Sequence, residues 1–258
     1  MSAENFRDAA RHLITSVALI TSQGKNSSNS SNVMAAEWTF QVSYRPMRLI
    51  VLVARGDATY DNILENREFG VNFASDDQAS LASLAGAYTG REVNKLSSEL
   101  FQTYPAKKIR PPMISGCFLN AECMLSQVID TGDHTMFLGD VVEVQFGGAK
   151  SPLLYSHRRY WERGSQVQKK PSIYTTYTLS PESLRVDGRL QGVEKHPQAI
   201  AVTVRANNRG TLLKEIVETD EYGYFQLSKP NTFKGKGVQT AIVEWEKLRG
   251  TASLDEGT

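Results

Sequence analysis

The segment NVMAAEWTF at 32–40 constrains this chain more than any other part of it. It lies in a run of strand-type residues at 33–42, and five more such runs stand at 14–21, 49–53, 69–73, 118–128 and 135–146. All are rich in β-branched or aromatic side chains, which suit a pleated and half-buried surface. So many strands beside so few helical stretches predict an antiparallel barrel with helical inserts. One helix is expected at the start, where Phe6, Ala9, Ala10 and Leu13 recur at helical spacing. Another follows Ser75-Asp76-Asp77-Gln78, which has capping-box spacing and opens a helix through Leu81 and Leu84 to Gly86. The polar run QGKNSSNSSN between the first two strands reads as a flexible connection, and its two Asn-Ser-Ser sequons as incidental.

Length and charge narrow the function. A chain of 258 residues holds one large domain or two ordinary ones, with volume for a real core either way. Its 29 basic and 28 acidic residues nearly cancel, so no net field favours nucleic acid or an anionic membrane. The longest purely apolar stretch, 49–54, falls far short of the roughly 20 residues that span a bilayer. The N-terminus mixes acids and bases where a secretory signal needs an apolar core, and the chain reads as cytoplasmic. Cys117 and Cys123 are read on one strand, sharing a face but about 20 Å apart, too far for a disulfide. The four histidines are scattered and make no zinc-like set with them, so no metal site is expected.

Character changes along the chain. Residues 163–183 combine polarity, prolines and no clear period, as an inter-domain linker does. From 184 to 258, short alternating strands separated by glycine-bearing turns predict a small β-sandwich-like module. Its DEYG turn, inside TDEYGYFQL, resembles the hairpin of carboxypeptidase-regulatory or transthyretin-like sandwiches; an elaborated extension of the barrel is the alternative.

Four segments follow NVMAAEWTF in order: VNFAS at 71–75, TGREVNK at 89–95, GDHTMFLGDV at 132–141 and PLLYSHRRY at 152–160. Together they resemble the flavin reductase-like family over roughly residues 4–160, and their TGR and NK elements look closest to its flavoredoxin and ferric-reductase-like branch. The resemblance implies an FMN-binding split β-barrel, antiparallel with Greek-key connections, at 1–162. It also implies a homodimer with the flavin pocket at a twofold interface.

Carried over by position, the resemblance places Met34, Ala35, Ala36, Glu37 and Trp38 beside the flavin ring. Small side chains at Ala35 and Ala36 let the backbone approach a ring closely, although ordinary strand packing explains them too. The family more often has hydroxyl residues near 35 and 37, so Glu37 departs from the pattern. A carboxylate beside the ring would oppose negative charge there. For the phosphate the resemblance selects Arg55, Thr59, Arg91 and Lys95, a set of cations with a hydroxyl at a helix start. Singly, each cation reads equally as a surface charge. Asn72 is placed at the pyrimidine edge, with a strand asparagine as the alternative, and Gly90 relieves crowding or simply makes a turn. His134 is placed near the open flavin face, where it helps seat a nicotinamide and is the candidate catalytic residue. Tyr160 covers the pocket or is a half-buried barrel-end tyrosine.

No GxGxxG, P-loop or GxSxG motif occurs, so NAD(P)H is expected as a transient co-substrate without a Rossmann domain. The resemblance implies an FMN-dependent oxidoreductase that passes electrons from NAD(P)H to a flavin, ferric or protein acceptor. Two alternatives remain: an FMN electron carrier reduced by a redox partner protein, and a binding protein that has lost FMN.

Overall fold

The computed structural model describes residues 3–24, 31–206, 210–232 and 238–253. The chain divides into two compact units, Met1–Gly164 and Ser165–Thr258. The expected connection at 25–30, with its sequons, lies outside the described residues.

The first unit is built on a seven-stranded antiparallel sheet. Its strands run in the order Ser31–Ala36, Ala18–Gln23, Glu68–Phe73, Leu119–Asp130, His134–Phe146, Met47–Ala54 and Thr39–Tyr44. The two terminal strands of this order, Ser31–Ala36 and Thr39–Tyr44, are consecutive in sequence and separated only by Glu37 and Trp38. Two residues span no more than about 10 Å, so the edges must meet and the sheet must curl into a barrel. The Leu52 amide donates to the Trp38 carbonyl at 3.1 Å, which carries the ladder between the Thr39–Tyr44 and Met47–Ala54 strands back into the two-residue link. The expected single strand at 33–42 is therefore two strands folded at Glu37–Trp38, a break that period-two alternation cannot reveal.

Apolar residues fill the barrel. Ile20, Leu49, Val51, Val53, Phe69, Val71, Ala121, Cys123 and Phe137 point into one cluster. A second cluster lies on the outside of the Ala18–Gln23 and Ser31–Ala36 strands, where Leu19, Val33, Ala82, Ala85, Ile114, Cys117 and Leu153 pack together. With both faces covered, Ala18–Ser22 is buried without interruption, its polar Thr21 and Ser22 included. Cys117 precedes the Leu119–Asp130 strand, so the two cysteines do not share a strand face: they are buried in different clusters as free thiols. Burial pushes the Cys117 thiol up to about 12 and raises that of Cys123 as well.

A helix at Ala3–Arg11, exposed along its described side chains, precedes the barrel, and two more pack on it at Ala58–Asn66 and Ala79–Ala87. The last is entered through a short 3-10 turn at Asp76–Gln78 whose reciprocal Ser75–Gln78 capping box is formed. No helix among the described residues is long and apolar enough to cross a membrane.

The second unit is a sandwich of two antiparallel sheets. One orders Ser172–Leu179, Ser183–Gln191 and Tyr224–Pro230; the other orders Gly210–Glu218, Ala199–Ala206, Val238–Trp245 and Leu248–Ser253. Leu184, Val186, Leu190, Ile200, Val202, Val204, Phe225 and Val243 form its own core. Two expectations need correction. The 163–183 stretch is not all linker, because Ser172–Leu179 is a full strand whose Ile173 is buried; its threonines and tyrosines disguised the alternation. The DEYG turn forms, with Gly223 at φ +87°, but its flanking strands belong to different sheets, so it is a corner rather than a hairpin.

Gly139 is required by packing: a Cβ there would lie 2.6 Å from Phe69 Cζ and 2.9 Å from Cys123 Cβ, both fully buried. Gly139→Ala is expected to destabilise by about 1–3 kcal/mol. Urea unfolding should show a lower midpoint with an unchanged slope, and a midpoint equal to the parent's would contradict the packing.

Candidate functional site

The edge strand Ser31–Ala36 positions the site. Antiparallel pairing with Ala18–Gln23 uses the N–H and C=O of alternate residues, and the intervening peptide groups face the other way. Among the described residues no turn or side chain bonds to the peptide groups of Met34, Ala35, Ala36 or Glu37 on that open edge. A groove follows it. Its middle is a cavity of about 390 Å³ between Ala35 and Ala36 on the strand, Glu37 just past its end, Ser83 and Gly86 on the Ala79–Ala87 helix, and Tyr155 and Tyr160. The two tyrosines are register partners of the Leu154–Ser156 and Arg159–Trp161 hairpin, their rings 5.4 Å apart. Burial and the neighbouring Tyr155 raise the Tyr160 phenol above its ordinary range.

Past Ala35 and Gly86 the groove continues into a hollow of about 240 Å³ lined by Asn32, Met34, Asp57, Thr59, Gly90 and Lys95. Thr59 is fully buried in the first turn of the Ala58–Asn66 helix, where its Oγ1 accepts from Asn32 Nδ2 at 2.9 Å. The N-cap residue Asp57 makes no side-chain cap; the Tyr60 amide turns back to the Asp57 carbonyl at 3.1 Å, and the Ala58 and Thr59 amides are left at the positive end of the helix. Lys95 is buried, and its Nζ donates to the carbonyls of Ala85 at 3.0 Å and Tyr88 at 2.7 Å. An ammonium has three donors, so one remains for a ligand. Burial lowers its pKa, opposed by the Asp57 carboxylate. Gly90 packs on Asn32, where a Cβ would come within 2.3 Å of Oδ1.

At the opposite end, past Glu37 and Tyr155, a hollow of about 280 Å³ is lined by Trp38, Arg11, His157 and Arg158. Trp38 meets His134 edge to face, ring centroids 4.8 Å apart. His134 Nδ1 lies 2.8 Å from the Asp133 carboxylate, a contact that assigns the proton to Nδ1 and turns Nε2 away from it. Partial burial raises the Glu37 carboxyl above its usual value.

The structure thus brings Met34, Ala35, Ala36, Glu37, Trp38, Thr59, Gly90, Lys95 and Tyr160 along one groove, with His134 against its tryptophan. Three other expected residues stand apart. Asn72 is fully buried with its amide fully used: Nδ2 donates to Leu19 O and Thr21 Oγ1, and Oδ1 accepts from the Ile114 amide and Asn120 Nδ2. It ties strands together and has nothing left for a ligand. Arg55 is exposed and paired with Asp130 at 2.5 Å. The Arg91 guanidinium is held by Asp61 and the Gly56 carbonyl. Asn32, Asp57, Ser83 and Tyr155 line the groove as well. Asn32 and Tyr155 stood inside the diagnostic segments, but nothing in residue type marked them.

These features define a class: a split barrel with an open-edged groove, walled by small residues and two tyrosines in the middle and suited to an anion at one end. A family model described as a flavin reductase like domain matches residues 10–163. An uncharacterized protein of Archaeoglobus fulgidus is 32% identical over 118 residues, covering 46% of this chain and 67% of that protein. The FMN reductase (NADH) RutF of Enterobacter cloacae subsp. cloacae is 27% identical over 157 residues, 61% of this chain and 92% of that one. Among solved structures, flavoredoxin from Methanosarcina acetivorans superposes with TM-score 0.53 and 26% identity, covering 60% of this chain and 87% of its own. An NADH:FAD oxidoreductase from Streptomyces globisporus gives TM-score 0.57 at 20% identity over 63% of this chain and 93% of its own, a likeness of fold. The chain belongs to the flavin reductase-like family.

The Glu37 shift has a measurable sign. Between the ordinary value near 4.5 and the higher folded value, the folded chain keeps a proton that the unfolded chain has lost. Stability therefore falls as pH rises through that window and stays at the lower level above it. Glu37→Gln is expected to flatten this dependence and to be the more stable form at neutral pH. Thermal melts from about pH 4 to 8 check it, and parallel curves for the two proteins would contradict it.

Proposed function

We propose that this chain is an FMN-dependent oxidoreductase that takes electrons from NADH or NADPH and passes them to a free flavin, a ferric complex or a protein acceptor. One observation carries the reading: an unpaired peptide edge at Met34–Glu37, bare enough at Ala35 and Ala36 for a flat ring, leads to a helix start with Thr59 and Lys95. FMN, when bound, supplies the hydride-accepting and electron-passing chemistry. The chain's residues orient it. The strand edge offers donors and acceptors to the ring's polar rim, and the two tyrosines wall the groove. Thr59, the first-turn amides and the third Lys95 donor suit a phosphate. His134, steadied by Asp133 and Trp38, stands where a nicotinamide is to be seated and acts through alignment rather than as a base. The names of the RutF relatives and the flavoredoxin neighbour support the same cofactor.

The homodimer has a physical basis as well. Phe40, Ile50, Leu52, Met136 and Ile129 occupy the outward rows of one barrel wall, and Phe40 and Ile129 remain 44% and 38% exposed. Apolar residues so grouped mark an interaction surface. His134 pairs with Ala54 at the end of the same wall, so a second copy seated there would border the groove. Phe40→Asp is expected to convert a dimer to a monomer in sedimentation velocity, and a parent that is already monomeric would contradict this interface.

Freshly purified protein should be yellow and should bleach within seconds when NADH or NADPH is added anaerobically. Thr59→Val and Lys95→Met should each weaken FMN binding about 10- to 100-fold, the cost of a lost hydrogen bond to a charged group. A colourless protein that takes up no FMN contradicts the reading. Bleaching only with an added protein partner replaces direct nicotinamide oxidation with electron carriage.

A further inference from the structure

A cavity of about 650 Å³, larger than any of the three hollows along the barrel groove, lies in the second unit, which the family match does not reach. Strand register builds its floor. Tyr174 faces Arg189, which faces Tyr224; two residues further on, Thr176 faces Asp187, which faces Gln226. Alternation puts both rows on the outer face of the three-stranded sheet, about 7 Å apart along the strands. Between them Gly188 carries no side chain, and the buried Phe225 ring lies against it from the module core.

The groups on this floor are held in place. Arg185 Nε donates to both Asp187 oxygens at 2.9 and 2.8 Å, and Gln226 Nε2 donates to Oδ1 at 2.8 Å. Arg189 lies 4.7 Å over the Tyr224 ring. Tyr174 and Tyr224 are 59% and 52% exposed. Glu218 and Asp220 add carboxylates at the rim.

This pattern selects a ligand by charge. Asp187, Glu218 and Asp220 are nearly balanced by Arg185 and Arg189, so neither an anion nor a cation is strongly drawn to the floor. Both kinds of group remain good partners for hydroxyls, as acceptors and as donor respectively. An exposed tyrosine face suits the C–H face of a sugar ring, while its polar neighbours reach the hydroxyls around it. The volume lies within the range of small-ligand sites. We propose that the second unit is a carbohydrate-binding module whose outer sheet face takes a neutral oligosaccharide. One pyranose stacks on Tyr174, and its hydroxyls bond to Asp187, Arg189 and Gln226.

The full chain would be run on native gels containing a soluble neutral β-glucan, mannan, xylan or galactan, and the matching oligosaccharide titrated by calorimetry. At least one polymer should retard migration. Tyr174→Ala should weaken the calorimetric affinity about tenfold or more, and Asp187→Asn should do the same. Tyr174→Phe, which keeps the ring, should bind as the parent does. FMN content should stay the same throughout, because every residue that lines the site belongs to the second unit. Failure of all four polymers to retard the chain would overturn the proposal. So would binding that survives Tyr174→Ala, or retardation by dextran sulfate or chitosan instead of the neutral polymers.

Discussion

The barrel depends on one covalent constraint: two residues, Glu37 and Trp38, join the opposite edges of a seven-stranded sheet. A twisted sheet left open would expose two ladders of unpaired peptide groups. This link brings the edges together, and the Trp38 carbonyl within it accepts from Leu52, which extends the ladder of the Thr39–Tyr44 and Met47–Ala54 strands up to the link. The closure is incomplete, because the Ser31–Ala36 strand keeps its outer peptide edge for the groove. The same feature that shapes the barrel therefore makes the binding surface. Hydroxyl-free alanines at 35 and 36 then decide how near a flat ligand can come.

The two ends of the groove differ in electrostatics for local reasons. At Thr59 the helix start, an uncapped first turn and a buried ammonium all favour negative charge, with Asp57 in opposition. At Glu37 an exposed residue whose carboxyl pKa is raised by partial desolvation adjoins the Trp38–His134 pair. A ligand with an anionic tail and an apolar head is thereby oriented without any large-scale field, in keeping with a chain whose charges nearly cancel.

Much of this was legible in the sequence. Strand runs located the barrel, the Ser75–Gln78 spacing located a helix start, and the ordered segments located nine groove residues. What could not be read was the allocation of hydrogen bonds. Asn72 and Thr59 are both buried polar residues near strand and helix ends. The partners of Asn72 consume its whole amide, whereas Thr59 stays at a cavity wall. By residue type Arg55 and Arg91 suit a phosphate, but Asp130 and Asp61, 75 and 30 residues away, hold them. Such pairings are set by long-range register. The strand at Ser172–Leu179 was missed for another reason: its exposed threonines and tyrosines resemble linker polarity, and only one of its residues is fully buried.

The central claim is that the peptide edge at Met34–Glu37 holds the ring and the Thr59 helix start holds the phosphate. Amide chemical shifts of ¹⁵N-labelled protein, stripped of flavin and titrated with FMN and then separately with riboflavin, address it most directly. The account predicts large shifts at 34–38 with both ligands, and shifts at 58–60 and 95 with FMN alone. Shifts confined to other strands, or a 58–60 response that does not depend on the phosphate, would contradict it.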